Sequence, residues 1–281
     1  MGLFFQTLKL IRTVNCLLAM VGVGVGAYLT GGPPSFYAAL MTSISAFLVC
    51  AAGNVVNDLV DVGIDRIIHP ARPLVMGTVT RRYASILSIV ATTLGIGIGL
   101  TVSAAVTGIV VGAACLLAAY NFGLKRIVVV GNVSVAALSA LTFVAGGVAV
   151  DPRAAFSLPG PLVPAAFAFL FHMVREIVKD VQDMEGDRTA GIRTLPQVIG
   201  VSRALIAALV LFLLLSIITL IPSVFGWYGG YYEIVAVYLM DIPLVALLVL
   251  IWRNPTPTLL RVGSTALKFG MGLGIVALLL A

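Results

Sequence analysis

Charge is scarce in this sequence. Of 281 residues, 17 are Lys or Arg and 11 are Asp or Glu, 10% together, where soluble domains carry about 25%. With 60% hydrophobic residues and a mean hydropathy of +1.14, a water-soluble globular fold is excluded. Cysteine is nearly absent too. Cys16, Cys50 and Cys115 sit in apolar runs without paired spacing, which excludes a disulfide framework and a Cys-ligated zinc. They read as packing thiols and leave the redox compartment open. The two histidines, His69 and His172, are far apart, so no cluster of soft ligands exists. Basic and aromatic residues do not interleave as nucleic-acid binding requires, and nothing marks an obligatory protein partner.

Long apolar runs are what the chain has in abundance. A transmembrane helix needs ~20 such residues, whereas barrel strands are shorter and alternate. Breaking the hydropathy at Gly, Pro and charge clusters predicts about nine spans, near 10–30, 36–62, 82–102, 104–122, 128–149, 161–185, 202–221, 232–252 and 264–281. The expected fold is all-α and integral to the cell membrane, one polytopic domain over 1–281. Connections on one side carry Lys9, Arg12, Arg66, Arg72, Arg81, Arg82, Lys125, Arg126, Arg188, Arg193, Arg203, Arg253 and Arg261, and the other side carries Arg153. The positive-inside rule then places the N-terminus and the basic connections in the cytoplasm and the C-terminus outside. The net charge of +6 is that basic face. "VGVGVG" (21–26) and "GIGIG" (95–99) look like fragments of dinucleotide loops, but inside apolar runs they read as close helix packing.

Against this background the acids stand out. "NDLVDVGIDR" and "KDVQDMEGDR" both contain D-x-x-D-x-x-x-D-R: Asp58, Asp61, Asp65 with Arg66, and Asp180, Asp183, Asp187 with Arg188. Arg72 follows the first set and Arg193 the second. Spacings of three, four and seven put each set along one helical face. One set ends the second span and the other the sixth, so both ends fall on the cytoplasmic side as a parallel repeat. Six aspartates at helix centres would cost roughly 15–20 kcal/mol. An interfacial depth lowers this, but like-charge repulsion and the negative end of the helix dipole add to it. Something cationic must compensate. Neighbouring arginines and lysines could form a structural network. Hard divalent cations explain the residue choice better, because Mg²⁺ takes oxygen ligands and bridges carboxylates to phosphate. Arg72, Lys125, Lys179 and Arg193 around such a metal would suit a diphosphate, and an apolar cavity would suit its lipid tail.

These two stretches resemble the aspartate-rich motifs of the UbiA superfamily of intramembrane prenyltransferases. The resemblance implies a ring of nine helices around a central cavity with a cytoplasmic cap. It also implies ionisation of a Mg²⁺-bound prenyl diphosphate to an allylic cation, and transfer of the prenyl group to an acceptor. Carried over by position, Asp58, Asp61, Asp65, Asp180, Asp183 and Asp187 would hold metal, with Asn54 and Asn57 as supporting polar groups. Arg72, Lys125, Lys179 and Arg193 would hold the diphosphate. "REIVKDVQDMEGDRTAGIRTLP" is most similar to members of archaeal ether-lipid biosynthesis, which transfer geranylgeranyl to the glycerol hydroxyl of geranylgeranylglyceryl phosphate. Arg175, Arg188 or Arg193 would meet the phosphate of that acceptor. An aromatic acceptor, of quinone-precursor or chlorophyll type, stays open.

Tyr120, in "YNFGLKR", lines the prenyl site or anchors the membrane interface. His172 contacts the acceptor or is a packed, hydrogen-bonded histidine. Gly186 and Gly191 let the connection after the second set turn. A cation-coupled secondary transporter is the rival class; such proteins place their acids near the midplane on broken helices, often in inverted repeats.

Overall fold

The computed structural model describes residues 2–31, 35–189 and 191–281. These form helices α1 (Leu3–Leu10), α2 (Thr13–Leu29), α3 (Phe36–Ile68), α4 (Arg81–Val102), α5 (Ala104–Phe122), α6 (Val130–Val150), α7 (Leu162–Thr189), α8 (Leu195–Ile199), α9 (Val201–Val224), α10 (Gly230–Arg253) and α11 (Pro257–Leu279). Among the described residues there is no strand. Each of the nine expected spans coincides with a long helix. Seven of these contain a stretch long and apolar enough to cross a membrane, and the pair α1–α2, bent by 56°, makes an eighth if it is one span. The ninth, α7, has 28 residues, but its acids leave it no comparable apolar stretch.

Two boundaries differ from expectation by six residues or more. Helix α3 runs six residues past 62, so all three aspartates of the first set lie within helix. Helix α11 begins at Pro257 rather than near 264, because Thr256 caps it by accepting a hydrogen bond from the Leu259 amide. Polar caps start other helices in the same way: Ser35, Thr80 and Ser103 each accept from the amide three residues on.

The chain divides into two compact units, Met1–Leu124 with Leu141–Leu162, and Lys125–Ala140 with Val163–Ala281. In the first, small residues allow helices to touch backbone to backbone. A Cβ on Gly26 would lie 2.0 Å from the Phe143 carbonyl oxygen, and one on Gly146 would lie 1.9 Å from that of Val23. This locks α2 against α6 and explains the "VGVGVG" run, although Gly24 between them faces open space. In "GIGIG", Gly95 packs under Val49 of α3, and its carbonyl accepts a 2.6 Å hydrogen bond from Ser45. Leu10, Cys16, Val55, Val79 and Ala84 fill the space beneath the first acidic set. After α6, the Asp151 carboxylate accepts from the amides of Ala154 and Arg153, which hold it below the usual carboxylate range.

The second unit is built on α7, α9, α10 and α11. Val174, Ile177 and Val178 pack with Ala204, Phe212, Leu244, Ile251 and Leu267, and Phe171 meets Phe212 edge to face at 5.9 Å. Helix α10 widens to a π-helix over Ile234–Asp241. Pro243 follows two residues later; lacking an N–H and crowding the preceding turn, it opens the hydrogen-bond ladder there. Outward-facing Ile89, Leu100, Ile217 and Val224 are between 64% and 78% exposed, a surface that only lipid would cover favourably.

Candidate active site

The first acidic set occupies the last three turns of α3. Asp58 and Asp65 are buried, 3% and 4% exposed, and both are neutralised by arginine. Arg12 donates to Asp58 Oδ1 at 2.7 Å, and Arg72 donates to the same oxygen at 3.1 Å. Arg72 also bonds the Asp65 carboxylate. The turn Arg72–Val79, closed by the amides of Thr78 and Val79 on the Pro73 carbonyl, brings the Arg72 guanidinium back over α3. Asp61, half-buried, is held differently. Asn57 Nδ2 donates to it at 3.0 Å and also to Asn121 Oδ1 at 3.0 Å, while Asn121 Nδ2 is anchored on the Gly53 carbonyl. Asn54 turns towards the helix seam. Its amide donates to the Ile11 carbonyl at 2.9 Å and lies 3.7 Å from the sulfurs of both Cys16 and Cys50.

The second set lies on α7. Asp180, Asp183 and Asp187 are half-buried, and Lys179 beside them is exposed. Asn132, near the start of α6, donates to Asp180 Oδ2 at 2.9 Å. Among the described residues no lysine or arginine forms an ion pair with any of these three carboxylates. Earlier on the same helix, His172 Nδ1 contacts the Ala168 carbonyl at 2.9 Å, the hydrogen-bonded role. Arg175 pairs with Glu176 and keeps a buried Nε without a partner. Gly186 is helical and does not turn the chain. The turn falls at Gly191, whose φ of +70° suits a left-handed helix cap. Arg193 is exposed in the connection that follows, Tyr120 is half-buried in the last turn of α5, and Lys125 lies in the 3₁₀ turn Leu124–Arg126.

Three residues of these clusters carry no signal in the acidic motifs: Arg12, Asn121 and Asn132. Each is a polar side chain at the margin of an apolar run. That oddity is the only cue the sequence offers.

All the ligands at both helix ends are oxygens of carboxylates and amides, a donor set that suits a hard divalent cation. Among the described residues, no three His, Cys, Asp or Glu side chains converge enough to hold a metal alone. A metal here would complete its shell with water or phosphate oxygens, as Mg²⁺ commonly does.

Residues 17–262 match the UbiA prenyltransferase family. The chain belongs to that family. A digeranylgeranylglyceryl phosphate synthase of Methanopyrus kandleri is 33% identical over 276 residues, covering 97% of each chain. The enzyme of the same name from Thermococcus gammatolerans is 33% identical over 274 residues, 97% of this chain and 96% of that one. Among solved structures, one described as a digeranylgeranylglyceryl phosphate synthase in membranes aligns with a TM-score of 0.77 at 30% identity, covering 98% of this chain and 96% of that one. A UbiA homologue from Archaeoglobus fulgidus, bound to GPP and Mg²⁺, shares the fold with a TM-score of 0.67 at 19% identity, covering 97% and 99%. This UbiA protein is therefore a multi-pass membrane prenyltransferase, and the transporter reading falls away.

Proposed function

We propose that this UbiA protein transfers a geranylgeranyl group from geranylgeranyl diphosphate to the free glycerol hydroxyl of geranylgeranylglyceryl phosphate, with Mg²⁺ as the cofactor. The near full-length similarity to synthases of that name carries the reading. Two acidic helix ends with oxygen-only donors support it.

On α3, Asp58, Asp61 and Asp65, and on α7, Asp180, Asp183 and Asp187, would offer carboxylate oxygens to divalent metal. Mg²⁺ held there would supply charge neutralisation to the departing diphosphate. Lys125, Lys179 and Arg72 are the cations assigned to the diphosphate oxygens. As leaving-group charge develops, these fixed cations stabilise it. The C1–O bond breaks with both electrons going to the diphosphate. The acceptor hydroxyl oxygen then bonds C1, and its proton passes to an oxygen of the released diphosphate. Apolar helices exclude water, which would otherwise capture the allylic cation. Arg175, with its unpartnered Nε, and the exposed Arg193 are the cations available to the acceptor phosphate. The N-terminus faces the cytoplasm and the C-terminus the outside, as cysteine-accessibility labelling of the two ends would read directly.

The test is incubation of purified protein with Mg²⁺, labelled geranylgeranyl diphosphate and geranylgeranylglyceryl phosphate. The expected product is the doubly prenylated lipid phosphate with release of diphosphate. Transfer to an aromatic acceptor, with none to the lipid phosphate, would refute the choice of acceptor.

A further inference from the structure

Arg12 stands apart from every residue the reaction assigns. It occupies the elbow where α1 meets α2 at 56°. Its backbone is left-handed, φ 53° and ψ 58°, a conformation that a residue with a Cβ adopts against steric resistance. Such strain persists where surrounding contacts hold it, and it collects at functional sites. The contacts are specific here. One guanidinium nitrogen, Nη2, donates to Asn57 Oδ1 at 3.0 Å and to Asp58 Oδ1 at 2.7 Å.

Two consequences follow from those bonds. Asp58 Oδ1 receives Arg12 and Arg72 together, which fills both of its lone pairs. That oxygen can bind a metal only if a guanidinium leaves. Asn57, fixed by Arg12 on its oxygen, presents its amide to Asp61, so Arg12 also orients the carboxylate that lies between the two buried ones. The elbow is also tied within itself: Thr13 Oγ1 donates to the Leu8 carbonyl at 2.9 Å and Cys16 Sγ to the Ile11 carbonyl at 3.1 Å. Asn54 holds the Ile11 carbonyl at 2.9 Å, and Thr7 meets the Tyr83 hydroxyl at 3.1 Å. Helix α1 otherwise presents Leu3, Phe4 and Phe5 outward, as a helix lying at a membrane interface does.

We propose that Arg12 is a latch: an internal counterion that competes with the divalent metal for Asp58, so that loading the first acidic set releases the α1–α2 elbow. The proposal rests on the Mg²⁺-dependent prenyl-transfer reading. It makes Arg12 a positioning residue, acting through Asp58 and Asn57 rather than on substrate.

Two measurements test it on the full-length protein. In hydrogen exchange, Mg²⁺ with geranylgeranyl thiolodiphosphate should speed exchange severalfold at the amides of residues 11–16, against slowing or no change elsewhere in α2. Unchanged or slower exchange at the elbow would overturn the latch. In a Mn²⁺ titration read by electron paramagnetic resonance, an Asp183→Ala background weakens the second set and reports on the first. There Arg12→Gln should tighten Mn²⁺ binding roughly threefold to fivefold, the scale of a partly exposed charge pair. In the otherwise native protein Arg12→Gln should also lower kcat, because Asp61 loses its orientation. Equal or weaker Mn²⁺ binding would overturn the competition. Should Arg12→Gln fail to fold, Arg12→Lys keeps the charge but lacks the planar guanidinium that bridges Asn57 and Asp58. It should tighten Mn²⁺ by a smaller factor, and no tightening would again refute the idea. Absence of prenyl transfer by the wild-type protein would refute the proposed function, while the exchange and metal measurements would still decide the latch.

Discussion

The ends of α3 and α7 carry one sequence pattern in two electrostatic settings. On α3, Asp58 and Asp65 are buried and matched by Arg12 and Arg72. On α7, Asp180, Asp183 and Asp187 are half-buried, and Asn132 is the partner of Asp180. A buried carboxylate in low dielectric must be paired or neutral, and the first set is paired within the protein. A half-buried one retains solvent and can wait for a cation from outside. The same nine-residue motif therefore has two of its carboxylates matched by arginine at the α3 end and none at the α7 end among the described residues. Asp61 is half-buried like the second set and accepts from an amide that Asn121 positions.

The contrast breaks most decisively at the carboxylates placed on the metal in both sets. Asp61→Ala and Asp183→Ala should each lower kcat by about 10²–10³-fold or more, the scale of removing one preorganised electrostatic contact. Near-full activity of either variant in the transfer assay would end its assigned role.

Next in size is the difference between counterions. Arg72→Ala leaves two buried carboxylates short of a partner and should cost about 3 kcal/mol of stability, read as a lowered midpoint in thermal unfolding in detergent. Lys179→Ala, at an exposed position, should change stability by less than ~0.5 kcal/mol and instead raise the KM for the prenyl diphosphate. Equal stability losses in the two variants would erase the contrast.

The asparagines test how the two sets are held by amides. Asn121→Ala removes a buried bridge between Gly53 and Asn57 and should cost about 1–3 kcal/mol, whereas Asn132→Ala should cost about 1 kcal/mol. Both should weaken Mg²⁺ dependence, read as a rise in the metal concentration for half-maximal turnover. An effect on stability alone would make them packing residues.

Much of this protein is legible before any coordinates. Apolar runs of span length locate the long helices, because a bilayer leaves the backbone no alternative to internal hydrogen bonding. The helix ends are less legible. Helices α3 and α7 continue to Ile68 and Thr189, past their unbroken apolar runs, since helix continues through charged sequence where hydrogen bonds allow it. The glycine runs are half legible. Gly22 and Gly26 touch α6 while Gly24 faces open space, a division that needs the partner helix to be known. In the acidic sets the aspartates announce themselves by cost and spacing, but their partners do not. From sequence a structural arginine network is the less favoured account of charge compensation, yet Arg12 and Arg72 provide it for Asp58 and Asp65.

The sequence by itself determined that the chain is a helical membrane protein and that its acids form two sets, each along one helical face. Hydropathy and helical spacing act within about twenty residues, so both can be read locally. Tertiary structure alone decided which acids are already neutralised. Arg12 lies 46 positions from Asp58, and Asn121 lies 64 from Asn57. Pairing over such separations depends on how helices pack, and no local pattern encodes it.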